Sequence, residues 1–427
     1  MILSNISVPL LGMVDTAVLG HLDSPAYLAG VALGGALFSV LFMGMNFLRM
    51  GTTGIAAQAF GRSDAIALRT ALWQALIVAF TIACCMIAAQ HWIGRFAWYL
   101  FDGSAAAESE AAIYFSIRIW SAPATLANFV LVGWFIALQR ARIPLLIVVT
   151  TNVVNIILDL VLVVGLGWQT AGVAFATLAG ELCGVAVGLY CVRRELRHWP
   201  GTVVLESLTQ PGHYRQFFSV NTNILIRTLA LTGTLAFMTA QGARFGETVL
   251  AANAILMNLQ YLLSYGLDGL AHAAEALVGK ASGARSRDAM ARAVQLTLRW
   301  SLLIAALFAA TFLVFGPALI SLLTDIETVR ETTRTYLPWL ILSPLVSVFS
   351  FVYDGVFVGA TWSRDMRNLM LGCSLLVFMP LWWLTLPLGN HGLWLTFTLF
   401  MAARGISMGG TYLYRLRQPN LFRAQTS

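Results

Sequence analysis

Charge is what this sequence has least of. Only 11% of its 427 residues are Asp, Glu, Lys or Arg, against roughly 25% in a soluble globular chain. So few charges cannot cover the surface of a water-soluble fold of this length. Lysine is almost missing: among 26 basic residues only Lys280 is one. The five cysteines (Cys84, Cys85, Cys183, Cys191 and Cys373) all fall within apolar stretches. They have neither disulfide-framework nor metal-ligand spacing, which leaves them packing as small hydrophobes. There is no G-x-x-x-x-G-K-[ST] loop, zinc motif, nucleophile elbow or dinucleotide fingerprint, so no ATPase chemistry, metal or cofactor is built in and the chain does not read as an enzyme. A cleavable signal peptide is also not evident, since no basic region precedes the first apolar run. That run starts almost at Met1, so a few residues of the native N-terminus are expected to be missing from this start.

What is present is apolar length. Hydrophobic residues make up 59% of the chain and the mean hydropathy is +0.77. A membrane crossing needs about 20 mostly apolar residues. Runs between charged or Gly/Pro punctuation predict twelve spans, near 1–20, 27–60, 66–94, 111–138, 143–166, 168–192, 215–241, 246–280, 291–316, 332–360, 368–388 and 392–414. The second and eighth are too long for straight perpendicular crossings, so tilt, kinks or projecting ends are expected.

The net charge of +7 is explained by topology rather than by nucleic acid. One set of loops holds Arg62, Arg69, Arg140, Arg142, Arg193, Arg194, Arg197 and Arg215, then Lys280, Arg285, Arg287, Arg292, Arg364, Arg367, Arg415, Arg417 and Arg423. The alternate set holds only Arg95, Arg244, Arg330 and Arg334. The positive-inside bias then places both termini in the cytoplasm and the chain in the cytoplasmic (inner) membrane.

The two halves repeat at an offset of 222 positions. Leu28-Ala29-Gly30-Val31-Ala32 falls on Leu250-Ala251-Ala252-Asn253-Ala254, and Gln58-Ala59-Phe60-Gly61 on Lys280-Ala281-Ser282-Gly283. Gly133 falls on Gly355, and Pro123 lies one position from the equivalent of Pro344. Six spans per half makes a parallel repeat about the membrane normal, a transporter plan with the site between the halves. The predicted fold is all-α and polytopic, with an N-lobe over 1–192, a cytoplasmic linker over 193–214 and a C-lobe over 215–427.

Carboxylates within the bilayer are costly and read as functional. The candidates are Asp15, Asp159, Glu181, Asp268, Glu275 and Asp354. Asp15 and Asp159 lie about 21 and 24 Å along the first and fifth spans, a similar depth. Asn152, Asn155 and Asp159 share one helix face. Such an amide stripe around an acid binds a proton or accepts a small cation through oxygen, and two neighbouring carboxylates raise the pKa of one of them. A purely structural role, in which these groups hydrogen-bond helices together, is the alternative. Pro9 removes the bond to the carbonyl of Asn5 and marks a hinge before Asp15. In the second half Asp268, His272 and Glu275 share a face, with Arg227 and Arg404 as counter-charges in a buried network. Asp354 is a second cation site or a substrate contact, and Arg49 and Arg118 are expected to snorkel at span ends.

The segments NISVPLLGMVDTAVLGHLDSPAYLAGVALG, FLRMGTTGIAAQAFGRSDA, IRIWSAPATLANFVLVGWFIALQRARIP and NVVNIILDLVLVVGLG resemble the DinF-like branch of the MATE multidrug exporters. The likeness continues in YGLDGLAHAAEALVGKASGARSRD and YDGVFVGATWSRDMRN. It implies two six-helix lobes around a V-shaped cavity and export driven by inward H+ or Na+ flow. In that family the N-lobe cation site uses an acid on the first span and Asn-x-x-x-Asp on the fifth, which match Asp15, Asn155 and Asp159. Asn128 resembles a further member of that site, and Asp354 the span-ten acid of the NorM-like branch. The span-seven glutamate of that branch has no counterpart, because Asn221, Asn223 and Arg227 stand there instead. The resemblance thus implies a monomeric antiporter of small cationic or amphipathic organic compounds, coupled to H+ rather than to Na+ at Asp15 and Asp159. A lipid or lipid-linked sugar flippase of the same superfamily is the rival. A major-facilitator transporter is disfavoured, since GRSDAIALR lacks its Asp-Arg signature.

Overall fold

The computed structural model describes residues 25–101, 104–202, 211–419 and 421–422. The first expected span, with Pro9 and Asp15, lies outside them. Every regular element among the described residues is helical. In chain order these are α1 (Pro25–Met45), α2 (Phe47–Gly61), α3 (Ala65–Ala88), α4 (Gln90–Phe101), α5 (Ala105–Arg118), α6 (Ala122–Ala137), α7 (Arg142–Asp159) and α8 (Gln169–Glu195). The series continues with α9 (Pro211–Ala243), α10 (Glu247–Gly283), α11 (Arg287–Leu323), α12 (Glu327–Gly359), α13 (Ser363–Gly372), α14 (Met379–Thr385) and α15 (Gly389–Arg417). π-helical turns follow α7 and α13.

Nine helical runs among the described residues are long and apolar enough to cross a membrane. The difference from twelve has three sources. The first span is outside the described residues. The 37-residue α10 is long enough, about 56 Å of rise, but Asn253, Gln260, Asp268, His272 and Glu275 dilute its apolar character. Residues 363–417 form one helical run of 55 residues, which reverses at Gly389, where φ is +57°. The long second span is kinked as its length demands: α1 ends at Met45 and α2 starts at Phe47.

The described residues form two compact units, one ending at Phe217 and the other starting at Phe218. The first part of the expected linker is not free chain. Arg69 donates from Nη2 to the carbonyl of Leu196 at 2.7 Å and from Nε to that of Trp199 at 2.8 Å, which ties the segment after α8 onto the N-lobe.

Within each unit the repeat recurs in backbone detail. Left-handed residues occur at Ser63 and Arg285, at Gln139 and Thr361, and at Gly167 and Gly389, each pair 222 positions apart. Helices α2 and α10 end in the same pattern: Ser63 N–H to the Phe60 carbonyl and Asp64 N–H to that of Ala59, against Arg285 to Ser282 and Ser286 to Ala281. These reversals satisfy carbonyls that a helix end would otherwise orphan. The following helices are capped alike, with the Asp64 side chain accepting from Ala67 N–H and the Ser286 side chain from Ala289 N–H. Between α2 and α6 a Cβ added to Gly133 would lie 2.4 Å from the Arg49 carbonyl. Between α10 and α12 a Cβ on Gly355 would lie 2.3 Å from the Ala271 carbonyl. Backbones this close are how helices associate where lipid supplies no hydrophobic drive.

Candidate functional site

Helix α8 carries Gly180, Gly184 and Gly188 at four-residue spacing, a bare seam along one face. A Cβ at Gly180 would lie 2.7 Å from the Thr151 carbonyl and 3.3 Å from Asn155 Cβ. One at Gly188 would lie 2.8 Å from Leu131 of α6. The seam therefore draws α6 and α7 onto α8 and encloses the polar face of α7. Asp159 is fully buried and Asn155 is 1% exposed, while Asn152 is only half-buried. With its amide oriented to satisfy both ends, Asn155 donates from Nδ2 to Asp159 Oδ2 at 2.9 Å. Its Oδ1 then accepts from Thr177 at 3.1 Å. Thr177, on α8, was not singled out by the spacing arguments, since a lone Thr in an apolar span carries no signal. Directly after Asp159 the helix widens into the π-turn Leu160–Gly165, a distortion frequent at functional sites.

An ionised carboxylate buried this far from water is expensive, and binding a proton or a cation removes the charge. Asp159 and Asn155 are thus brought together as predicted, whereas Asp15 and Pro9 lie outside the described residues. Asn128 departs from the expected ligand set. Its Nδ2 donates to Glu181 Oε2 at 2.7 Å and to the Glu181 carbonyl at 3.1 Å. Arg118 does not snorkel at a span end. It sits mid-run beside the turn Ile119–Ser121, with its guanidinium 4.8 Å from the Phe38 ring centroid and Nη1 donating to the Tyr114 hydroxyl at 2.5 Å. Arg49 bonds Asn46 Oδ1 at 3.1 Å.

The C-lobe network differs from the predicted one. Arg227 (α9) and Arg404 (α15) converge on the same oxygen of Asp354 (α12), Arg404 at 2.7 Å. All three are buried. The arginines therefore compensate Asp354, an acid on α12 that the spacing argument did not pair with them. Glu275 and His272 are buried on α10, and Asp268 is half-buried. At the repeat offset Asn155 and Asp159 correspond to Val377 and Leu381, so the N-lobe acid cluster has no C-lobe copy. Among the described residues no group of three or more His, Cys, Asp and Glu has metal-site geometry.

This architecture has known relatives. The MatE family model matches residues 1–161 and again 224–384. The chain is 40% identical to DNA damage-inducible protein F of Escherichia coli (strain K12) over 99% of its own length and 92% of that protein. It is 25% identical to a probable multidrug resistance protein NorM of Bacillus cereus (strain ATCC 10987 / NRS 248), over 93% of this chain and 88% of that one. A solved structure described as the outward-facing conformation of a multidrug resistance MATE family transporter of the MOP superfamily superposes with a TM-score of 0.87. It shares 18% identity and covers 97% of this chain and 94% of its own. The repeat, the twelve-span helical plan and these matches together make the chain a member of the MatE family of membrane transporters, of the DinF-like branch.

Proposed function

We propose that this transporter is a cation-coupled exporter of small organic compounds, with H+ rather than Na+ as the coupling ion. Asp159 binds the ion, with Asn155 and Thr177 orienting its carboxylate and Asp15 as the second acid. The observation that supports this most is the fully buried Asp159 held by Asn155, itself held by Thr177 across the α7–α8 seam. Ion binding at such a carboxylate favours whichever of the outward-open and inward-open states takes the ion more tightly. The preference for H+ rests on the paired-carboxylate argument and on the family likeness. The substrates are cationic or amphipathic, in keeping with the multidrug description of the Bacillus relative. The protein acts as a monomer in the cytoplasmic membrane with both termini in the cytoplasm. Its N-lobe runs to residue 192, its linker over 193–214 and its C-lobe from 215.

The test is efflux in proteoliposomes under pH and sodium gradients imposed separately. Efflux should follow the pH gradient, and Asp159→Asn should abolish it while the protein still inserts. Wild-type efflux from that variant sinks the reading. A flippase reading draws on one observation, the two arginines against one carboxylate at Asp354, an excess of positive charge suited to an anionic head group. Lipid exposure without dye efflux would favour it.

A further inference from the structure

The polar interior of the N-lobe does not end at Asp159. Glu181 lies one helical turn along α8 from Thr177, about 6 Å of rise, on the side of the arginine-rich end. It is counted among the acids in the spans, yet the coupling site described above leaves it without a role. Its surroundings are built, not incidental. Asn128 from α6 holds both its carboxylate and its main-chain carbonyl. The Thr125 hydroxyl, which pairs with that of Ser121, and the Arg118 guanidinium are the other polar groups that act on it. From α7, Thr151 faces the same gap: a Cβ on Gly184 would meet Thr151 Oγ1 at 2.3 Å and Asn128 Nδ2 at 3.1 Å.

The cluster is short of one donor. Asn128 is 7% exposed, and its Oδ1 is buried with no hydrogen-bond partner. Buried acceptors are rarely left so. A carboxylate is acceptor-only, but its protonated form has one O–H to give. When Glu181 is protonated, acid and amide pair face to face: Nδ2 keeps its bond to Oε2, the carboxyl O–H turns to the orphaned Oδ1, and the deficit closes. The site is therefore complete only with a proton on it.

We propose that Glu181 is a second proton-binding residue of the N-lobe, one helical turn from the Asp159 layer, through which the coupling proton passes between Asp159 and the arginine-rich face. The O–H bond broken at one carboxyl is replaced by one formed at the other, so a single charge moves and no further ion is needed. This rests on Asp159 being the coupling acid.

The experiment compares wild type, Asp159→Asn, Glu181→Gln and Glu181→Asp in proteoliposomes. It reads pH-gradient-driven efflux against pH, substrate affinity, thermal stability and the infrared C=O band of protonated carboxyls. Glu181→Gln should slow efflux by about a hundredfold, the scale of losing a positioned proton-transfer group, with substrate affinity and melting temperature unchanged. Glu181→Asp should recover part of the rate, and Glu181→Gln should lose a carboxyl band that Asp159→Asn keeps. Coupling lost in Asp159→Asn together with a wild-type rate and pH profile in Glu181→Gln overturns the relay alone. Wild-type efflux from Asp159→Asn removes the coupling reading and the relay with it. If Glu181→Gln does not reach the membrane, Asn128→Ala decides. The amide bonds the ionised and the protonated carboxyl differently, so losing it should move the pH profile, and an unmoved profile overturns the proposal.

Discussion

Arg404 Nη2 donates to Asp354 Oδ2 at 2.7 Å, and Arg227 donates to the same oxygen. One carboxylate thus holds together α9, α12 and α15, with two guanidinium groups set against it. Neutralising it strands two buried guanidinium groups. Asp354→Asn should lower stability by about 3 kcal/mol or more, as expected when one partner of a buried ion pair is removed. Replacing Arg227 by Met together with Asp354 by Asn leaves one arginine facing a neutral amide and should cost less. Thermal denaturation in detergent, read for the single and double variants, checks the order. Equal melting temperatures for wild type and Asp354→Asn would contradict it.

Asp159→Asn preserves shape and keeps a hydrogen-bonding partner for Asn155. It should therefore fold and insert as wild type does while losing ion-driven efflux. The comparison to make is membrane insertion against transport in the same preparation, and a joint loss of both would point to a structural role for the acid.

Thr177 provides a milder perturbation of the same site. Thr177→Val removes the hydroxyl next to Asn155 while keeping shape and volume nearly constant, whereas Thr177→Ser keeps the hydroxyl. Efflux at a fixed pH gradient should fall several-fold in the first, on the order of the 1 kcal/mol worth of one hydrogen bond, and change little in the second. Identical rates for the two variants would remove Thr177 from the site.

The paired close approaches at Gly133 and Gly355 make a prediction with its own control. A Cβ at either meets a backbone carbonyl of the neighbouring helix at 2.4 or 2.3 Å, and backbone cannot swing aside. Gly133→Ala and Gly355→Ala should each destabilise by about 1–3 kcal/mol, the range for overpacking. Gly233→Ala and Gly372→Ala have nothing within 4 Å of the added carbon and should be neutral or slightly stabilising. Melting temperatures of the four variants settle it, and a loss at Gly233 equal to that at Gly133 would show that close backbone contact does not set the cost.

Much of the candidate site is legible along the chain because its signal is local. Asn155 and Asp159 lie one turn apart on one helix, and spacing alone puts them on one face. Thr177, Asn128 and Glu181 reach the site from other helices, and an isolated polar residue in an apolar span does not announce its neighbour. The assignment of Arg227 and Arg404 shows the same limit. Sequence order sets both beside the α10 acids as counter-charges, yet both bond Asp354, because the partner of a buried charge is set by which helices touch.

Composition determined that this chain lives in lipid, because 11% charged residues cannot solvate a surface of this size. Arginine placement pointed to an orientation, and a recurring offset exposed the duplication. These are sums and periods along the chain, and they survive without knowledge of contacts. Tertiary structure alone decided that the α8 glycine seam presses α6 and α7 together, so that Asn128 holds Glu181 and not Asp159. It also decided that Asp354 is enclosed by two arginines. Pairing between spans depends on approaches of a few ångströms, and one-dimensional order does not encode them.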